Sequence, residues 1–259
     1  MVDAQASLRR LHWWSDLHRS PGANLRLGAC LAFVAGATNA GGFLALGYYT
    51  SHMTGLLSSI ADNLVLGQLP LVLGAVTAIA AFVGGSITTA WMVNWSLRRQ
   101  LRSSFARPLL VEAVMLLLFG VFGSGINFSS TLFMPLTMLV LCYLMGLQNA
   151  LITKASKAEI RTTHVTGMLT DIGIEIGKML YINRSVGLTR VTANRRKLRL
   201  LAVLILSFLV GGVAGALGFK YLGYGATVPL AVLLLVLVSG PILHDLRHGR
   251  IAPRPPGAH

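Results

Sequence analysis

Two short segments carry the residues best suited to chemistry: Thr50-Ser51-His52-Met53-Thr54-Gly55 and Thr162-Thr163-His164-Val165-Thr166-Gly167. Each joins a histidine, whose charge changes near neutral pH, to a threonine able to accept hydrogen bonds from the free N–H groups of a helix first turn. The glycine that follows lets another group approach the backbone closely. An asparagine precedes each segment, in Gly36-x-x-Asn39-Ala40 and in Gly146-x-x-Asn149-Ala150. In apolar surroundings an asparagine needs a partner, either across a helix interface or in a bound solute. The candidate substrate-binding set is therefore Asn39, His52, Thr54, Gly55, Asn149, His164, Thr166 and Gly167. Helices starting near Thr54 and Thr166, each capped by its threonine, would present partial positive charge that favours an anionic or strongly polar group.

On a helix, positions i, i+7 and i+11 share a face, which aligns His164 with Asp171 and Glu175; the matching face of the first segment is His52, Ser59 and Asn63. Ionisable groups at membrane depth often mark proton or ion pathways, so Asp171 and Glu175 are candidates for proton or cation coupling. The competing reading sets both at a water interface, paired with Lys178 at i+7 and i+3. Glu112, one turn into a later apolar run that follows Arg107, is expected to snorkel or to pair with that arginine. One histidine plus carboxylates is weak support for a metal. Cys30 and Cys142 lie singly in apolar runs and read as small core residues. Neither a metal nor a cofactor is expected.

The elements that must position these residues are apolar. Of 259 residues, 54% are hydrophobic and 12% charged, yet the net charge is +14; a soluble domain carries about 25% charged residues. The basic residues lie between long apolar runs and not on a polar surface, which argues against a nucleic-acid partner. A membrane-crossing helix needs about 20 apolar residues, and six runs qualify: 27–49, 70–95, 108–126, 132–152, 200–221 and 226–243. The expected fold class is thus an all-α polytopic membrane protein. With the N-terminus inside, every Lys and Arg except Lys220 falls on the cytoplasmic side, where basic loops are retained. Both termini are expected there. Segments 54–68 and 165–181 are short and read as re-entrant or broken helices. If both crossed, Arg98, Arg99, Arg102 and Arg107 would lie outside.

The two motif sets recur in the same order, and Phe82-Val83-Gly84-Gly85 is answered by Phe208-Leu209-Val210-Gly211-Gly212. The paired glycines, with Gly215, read as close helix-packing sites. The chain therefore divides into a cytoplasmic segment 1–26, a first membrane half 27–129, a second half 130–245 and a cytoplasmic tail 246–259. Three spans per half is an odd number, so the second half enters from the opposite side. Inverted 3+3 repeats with broken helices are an architecture of secondary transporters, whose substrates bind at the repeat interface. The leading expectation is a non-enzymatic transporter of a small polar or anionic solute, with membrane lipid and an unidentified solute or ion as partners. The rival readings are a channel or facilitator, an intramembrane enzyme using His164, Asp171 and Glu175, and a lipid-binding protein.

The pattern Gly36-x-x-Asn39-Ala40 followed by Thr50-Ser51-His52-Met53-Thr54-Gly55, with Gly146-Leu147-Gln148-Asn149-Ala150 and Arg161-Thr162-Thr163-His164-Val165-Thr166-Gly167, resembles the YoaK-like family of bacterial inner-membrane proteins. That resemblance extends over roughly 27–243. It implies a multi-pass protein of the bacterial inner membrane, a domain of unknown function described as a candidate permease, and it transfers no substrate, cofactor or catalytic residue.

Overall fold

A computed structural model describes residues 21–156, 160, 162–183 and 189–248; most of the N-terminal segment, most of the tail and the basic residues Arg9, Arg10, Arg19, Lys157, Arg161, Arg184, Arg250 and Arg254 lie outside the described residues. Among the described residues the protein is all helix, with no strand. The order is α1 (Pro21–Leu46), α2 (Met53–Val65), α3 (Leu69–Arg98), a 3-10 turn (Arg102–Ser104), α4 (Ala106–Gly125), α5 (Ser130–Ala155), α6 (Val165–Leu180), α7 (Arg195–Leu222), a second 3-10 turn (Gly223–Ala226) and α8 (Thr227–His248). Each apolar run of the sequence falls on one helix, because a buried backbone in lipid must satisfy its own hydrogen bonds. The first run stops three residues early, at Gly47, whose φ of +74° suits glycine and breaks the helix.

Among the described residues, five apolar helical stretches are long enough to cross a bilayer, the last being Arg195–Arg247, in which α7 and α8 run together across the second 3-10 turn. The chain is thus built as a membrane-embedded helical protein. α1 is mostly buried inside the bundle, α8 divides its surface between the core and the outside, and α3 and α7 turn most of their apolar surface outward. Leu71, Leu73, Val83, Ile87 and Trp91 on α3 and Leu206, Leu209, Val210 and Val213 on α7 are all exposed. So much outward apolar surface is what lipid covers and water does not tolerate.

Two tight helix pairs organise the bundle, and each joins the two halves of the sequence. α1 lies against α7, where a Cβ on Gly36 would stand 2.0 Å from the Phe208 carbonyl oxygen and one on Gly211 would stand 2.1 Å from that of Phe33. α3 lies against α5 in the same manner: a Cβ on Gly146 would stand 1.9 Å from the Phe82 carbonyl oxygen and one on Gly85 would stand 2.0 Å from that of Tyr143. Only glycine allows backbones this close. The contacts are reciprocal, each Gly-x-x-Asn helix meeting the Phe-x-x-Gly helix of the other half. Hydroxyls stitch the second pair further, as Ser86 and Thr89 donate to the carbonyls of Gly146 and Leu147.

The basic end of the bundle is tied by polar contacts. Asp245 on α8 accepts from the backbone N–H groups of Arg102 (3.2 Å) and Ser103 (2.9 Å), fastening the α3–α4 connection. Lys154 at the end of α5 donates to Asn94 on α3 (3.1 Å). Glu112 departs from expectation. It is fully buried, and neither carboxylate oxygen has a hydrogen-bond partner. Arg107 instead donates to Ser103 Oγ (3.0 Å) and lies over the Trp95 ring (5.0 Å). Five residues apart on a helix is about 140° of rotation, so Arg107 turns to the interface while Glu112 turns inward with Leu109, Ala113 and Leu116.

Candidate functional site

The two short helices start alike, and two residues earlier than capping by the threonines would require. Their first residues are Met53 and Val165, with His52 and His164 at the N-cap, and neither cap makes a side-chain hydrogen bond. Thr54 and Thr166 are therefore first-turn residues and not caps, a correction to the expected roles. The glycine spacing then has a concrete cause. A Cβ on Gly55 would stand 2.1 Å from His52 Cδ2, and one on Gly167 would stand 2.3 Å from His164 Nδ1. Each histidine ring thus folds back over the third residue of its own helix, and glycine makes room for it.

The asparagines hold the approach to these helix starts. Asn39 Oδ1 accepts from Ser51 Oγ (3.0 Å), and Asn149 Oδ1 accepts from Thr163 Oγ1 (2.6 Å). Asn149 also donates to the Met145 carbonyl (2.8 Å). Each asparagine therefore pins the residue just before the histidine of its own half, drawing the chain back along the helix it has just left. Asn39 lies seven residues before the end of α1 and Asn149 six before the end of α5, so at 1.5 Å per residue the loops return by about 10 Å.

Both helix starts open on one cavity of about 850 Å³. Its lining comes in pairs: Asn39 with Asn149, Ser51 with Thr163, His52 with His164, Thr54 with Thr166, and Phe82 with Phe208. Six of the eight expected residues thus come together, while Gly55 and Gly167 sit behind them under the histidine rings. The volume is within the usual range for small-molecule sites. Two helix N-termini with free first-turn N–H groups face it, an arrangement that attracts negative charge.

The carboxylates stand elsewhere. Glu175 is ion-paired with Lys178 (2.9 Å) and accepts from the backbone N–H of Asn194 (2.6 Å), while Asp171 pairs with Lys197 on α7 (3.2 Å). Neither lines the cavity. The Lys178 ammonium and then the Asn194 N–H hold the Glu175 carboxyl below the ordinary carboxylate range. The helical-face alignment with His164 fails because an N-cap residue (φ −85°, ψ 57°) is outside the regular helix, so its ring turns back over Gly167 and away from Asp171. Among the described residues no three His, Cys, Asp or Glu side chains gather as a metal site.

A family model described as "Protein of unknown function (DUF1275)" matches residues 27–240. The chain belongs to that family. No curated protein and no solved structure matches it. The matched stretch contains both motifs and all the paired cavity residues.

Sequence reasoning about this family member missed part of the lining. Ser51 and Thr163 stood inside the motifs, and their hydroxyl types at matching positions were the available signal. Phe82 and Phe208 marked the repeat, yet only packing shows that their carbonyls receive the glycines while both residues line the cavity. Thr153 follows Asn149 by four residues and so shares its helix face. Its counterpart in the first half is Phe43, which stacks on Tyr49 (4.8 Å between ring centres). Tyr49, Met53 and Val165 complete the lining and carried no signal of their own.

Proposed function

We propose that this protein is a secondary transporter of a small polar or anionic solute, built from two inverted halves of three spans each and residing in the bacterial inner membrane with both termini in the cytoplasm. The observation that carries the reading is the paired lining: matching residues from both halves surround a single cavity. Counting α7 and α8 as separate crossings gives six spans. α2, with 13 residues, is about 20 Å long, well short of the about 30 Å hydrocarbon core. It therefore reads as half of a broken element that starts at depth, as α6 does from the opposite side. Irregular backbone at depth is tolerated where it borders a cavity.

In this reading an anion sits between the first turns of α2 and α6, held by their free N–H groups and by Thr54 and Thr166. Ser51 and Thr163 occupy the carbonyl oxygens of Asn39 and Asn149 and so orient both amides. The pairs α1–α7 and α3–α5 are the rigid units, because their glycine contacts lock backbone to backbone. Rocking of one pair against the other would open the cavity to alternate sides.

Thermal stabilisation of purified protein by phosphate, sulfate and small carboxylates tests the binding step, followed by uptake of any stabilising anion into proteoliposomes. The expected result is saturable, gradient-driven uptake that is lost in Asn39→Ala and Asn149→Ala. Non-saturable flux would replace the transporter with a channel. If both asparagine variants transport normally, the cavity is not the site. An impermeant maleimide should reach Thr54→Cys and Thr166→Cys from either side of the membrane according to the gradient; access to both from the cytoplasm alone, under every condition, would overturn alternating access.

A further inference from the structure

Glu112 is a buried acid that the proposed site does not use. Five of the eight acidic residues are described. Asp62 is exposed, Asp171 and Glu175 are ion-paired, and Asp245 accepts two backbone N–H groups. Glu112 alone among them is fully buried with both oxygens unpartnered. It lies about 9 Å along α4 from Ala106, well inside the span.

The surroundings supply no counter-charge. The contacts Ser103 to Asp245 and Gly120 to Thr227 set α4 against α8 in antiparallel register, so the level of Glu112 is met by Leu234, Leu237 and Val238, all buried. α1 contributes Leu27 and Leu31, and α5 contributes Leu144 and Met145, to the same core. The titratable side chain nearby is Cys30 on α1. Gln148 on α5 is also buried: its amide donates to the Leu31 carbonyl of α1 and its Oε1 has no hydrogen-bond partner. Arg26 is exposed near the start of α1, and other polar groups on the packed elements are engaged elsewhere. Arg107 is held by Ser103 and Trp95, Asp245 and His244 stand at the basic end of α8, Tyr143 donates to Thr88, Cys142 faces the Thr50 carbonyl and Lys154 bonds to Asn94. On α3, Arg98 is at the exposed C-terminal end.

An ionised carboxylate without a partner is among the costliest groups to bury, and a structural role would be better served by leucine. Ionisable residues retained at membrane depth mark ion or proton sites. We propose that Glu112 is a proton-carrying site: a carboxylic acid shut between α1, α4, α5 and α8 in this conformation, which exchanges its proton when the α4–α8 contact opens. The cargo is a proton and not a metal ion, because the packed elements offer apolar atoms, one thiol and the single amide of Gln148 instead of a set of oxygen ligands. The use of that proton to drive solute movement rests on the transporter reading; the site itself does not.

The test is labelling with dicyclohexylcarbodiimide, an apolar reagent that adds to protonated carboxyls, on the full chain in liposomes with peptide mass analysis. The expected adduct is on Glu112, is absent in Glu112→Gln of unchanged melting temperature, and falls by about tenfold per pH unit once the acid titrates. A water-soluble carbodiimide should leave Glu112 unmodified. No adduct at any pH, or an adduct that does not vary with pH, would make Glu112 a static acid and overturn the proposal. Protection by sodium at constant pH would overturn it in favour of a cation site. Glu112→Asp guards against a folding artefact, since it keeps the carboxyl and should still label. Failure of anion uptake leaves this readout intact, and failure of labelling leaves the cavity result standing.

Discussion

The two short helices α2 and α6 share one end and differ at the other. At the N-terminus both have a histidine cap, a threonine in the first turn, a glycine under the histidine ring, and an asparagine-held hydroxyl just before. At the C-terminus α2 finishes at Gly67 (φ +69°) without an ion pair, and Asn63 merely bonds back to the Ser59 carbonyl (2.7 Å). α6 is three residues longer and is fastened to α7 by Glu175 with Asn194 and by Asp171 with Lys197. The ends that meet at the cavity are alike, and the ends that leave it follow their local surroundings. Matching chemistry at one end only is what a shared central site predicts.

The strongest way to break the comparison is at the helix pairs that hold both motifs. Gly36→Ala and Gly146→Ala each drive a methyl into a backbone oxygen at about the same distance, 2.0 and 1.9 Å. Neither backbone can yield locally, so each variant should lose about 1–3 kcal/mol or more. Melting temperature and the yield of monodisperse protein measure it; a large loss in one and none in the other would end the equivalence of the two pairs. Next come Gly55→Ala and Gly167→Ala, whose new methyls meet histidine rings. Rings can swing aside, so the melting temperature should hold while stabilisation by anions falls in both. An effect confined to Gly167→Ala would place binding in the second half alone.

A third change isolates the end that differs. Because the Glu175 carboxyl is held below its ordinary range, its contribution to stability is complete above the usual glutamate value of about 4.3 and is lost as pH falls through the lowered folded value. The melting difference between the wild type and Glu175→Gln should therefore be full at neutral pH and vanish in acid. Asn63→Ala, at the matching position of α2, should show no such pH dependence. Smallest of all is Asp171→Asn. Its pair with Lys197 is exposed on both sides, at 41% and 42%, and should be worth about 0–1 kcal/mol, disappearing in high salt.

Much of this arrangement was legible in advance. Apolar run length located the helices to within a few residues, and the recurring motifs named six residues of the cavity. The caps lie two positions before the expected threonines, because threonine is the commoner cap and nothing local announces that a histidine ring will use the space over a glycine. Asp171 and Glu175 were drawn toward His164 by a helical periodicity that an N-cap residue does not obey. Glu112 was read from its neighbour in sequence, Arg107, when the helix turns the two to different sides.

Composition and run length alone established a membrane-embedded helical chain, and the sequence alone showed that its motifs recur in order, because the length and hydropathy of a lipid-facing helix are local properties. The tertiary structure alone decided which helices pair across the halves, that both motifs open on one cavity, and that Glu112 faces inward. The physical reason is that lipid and protein core are both apolar, so a membrane helix carries little amphipathic signal of its rotation. Its facing is set by where glycines let another backbone approach.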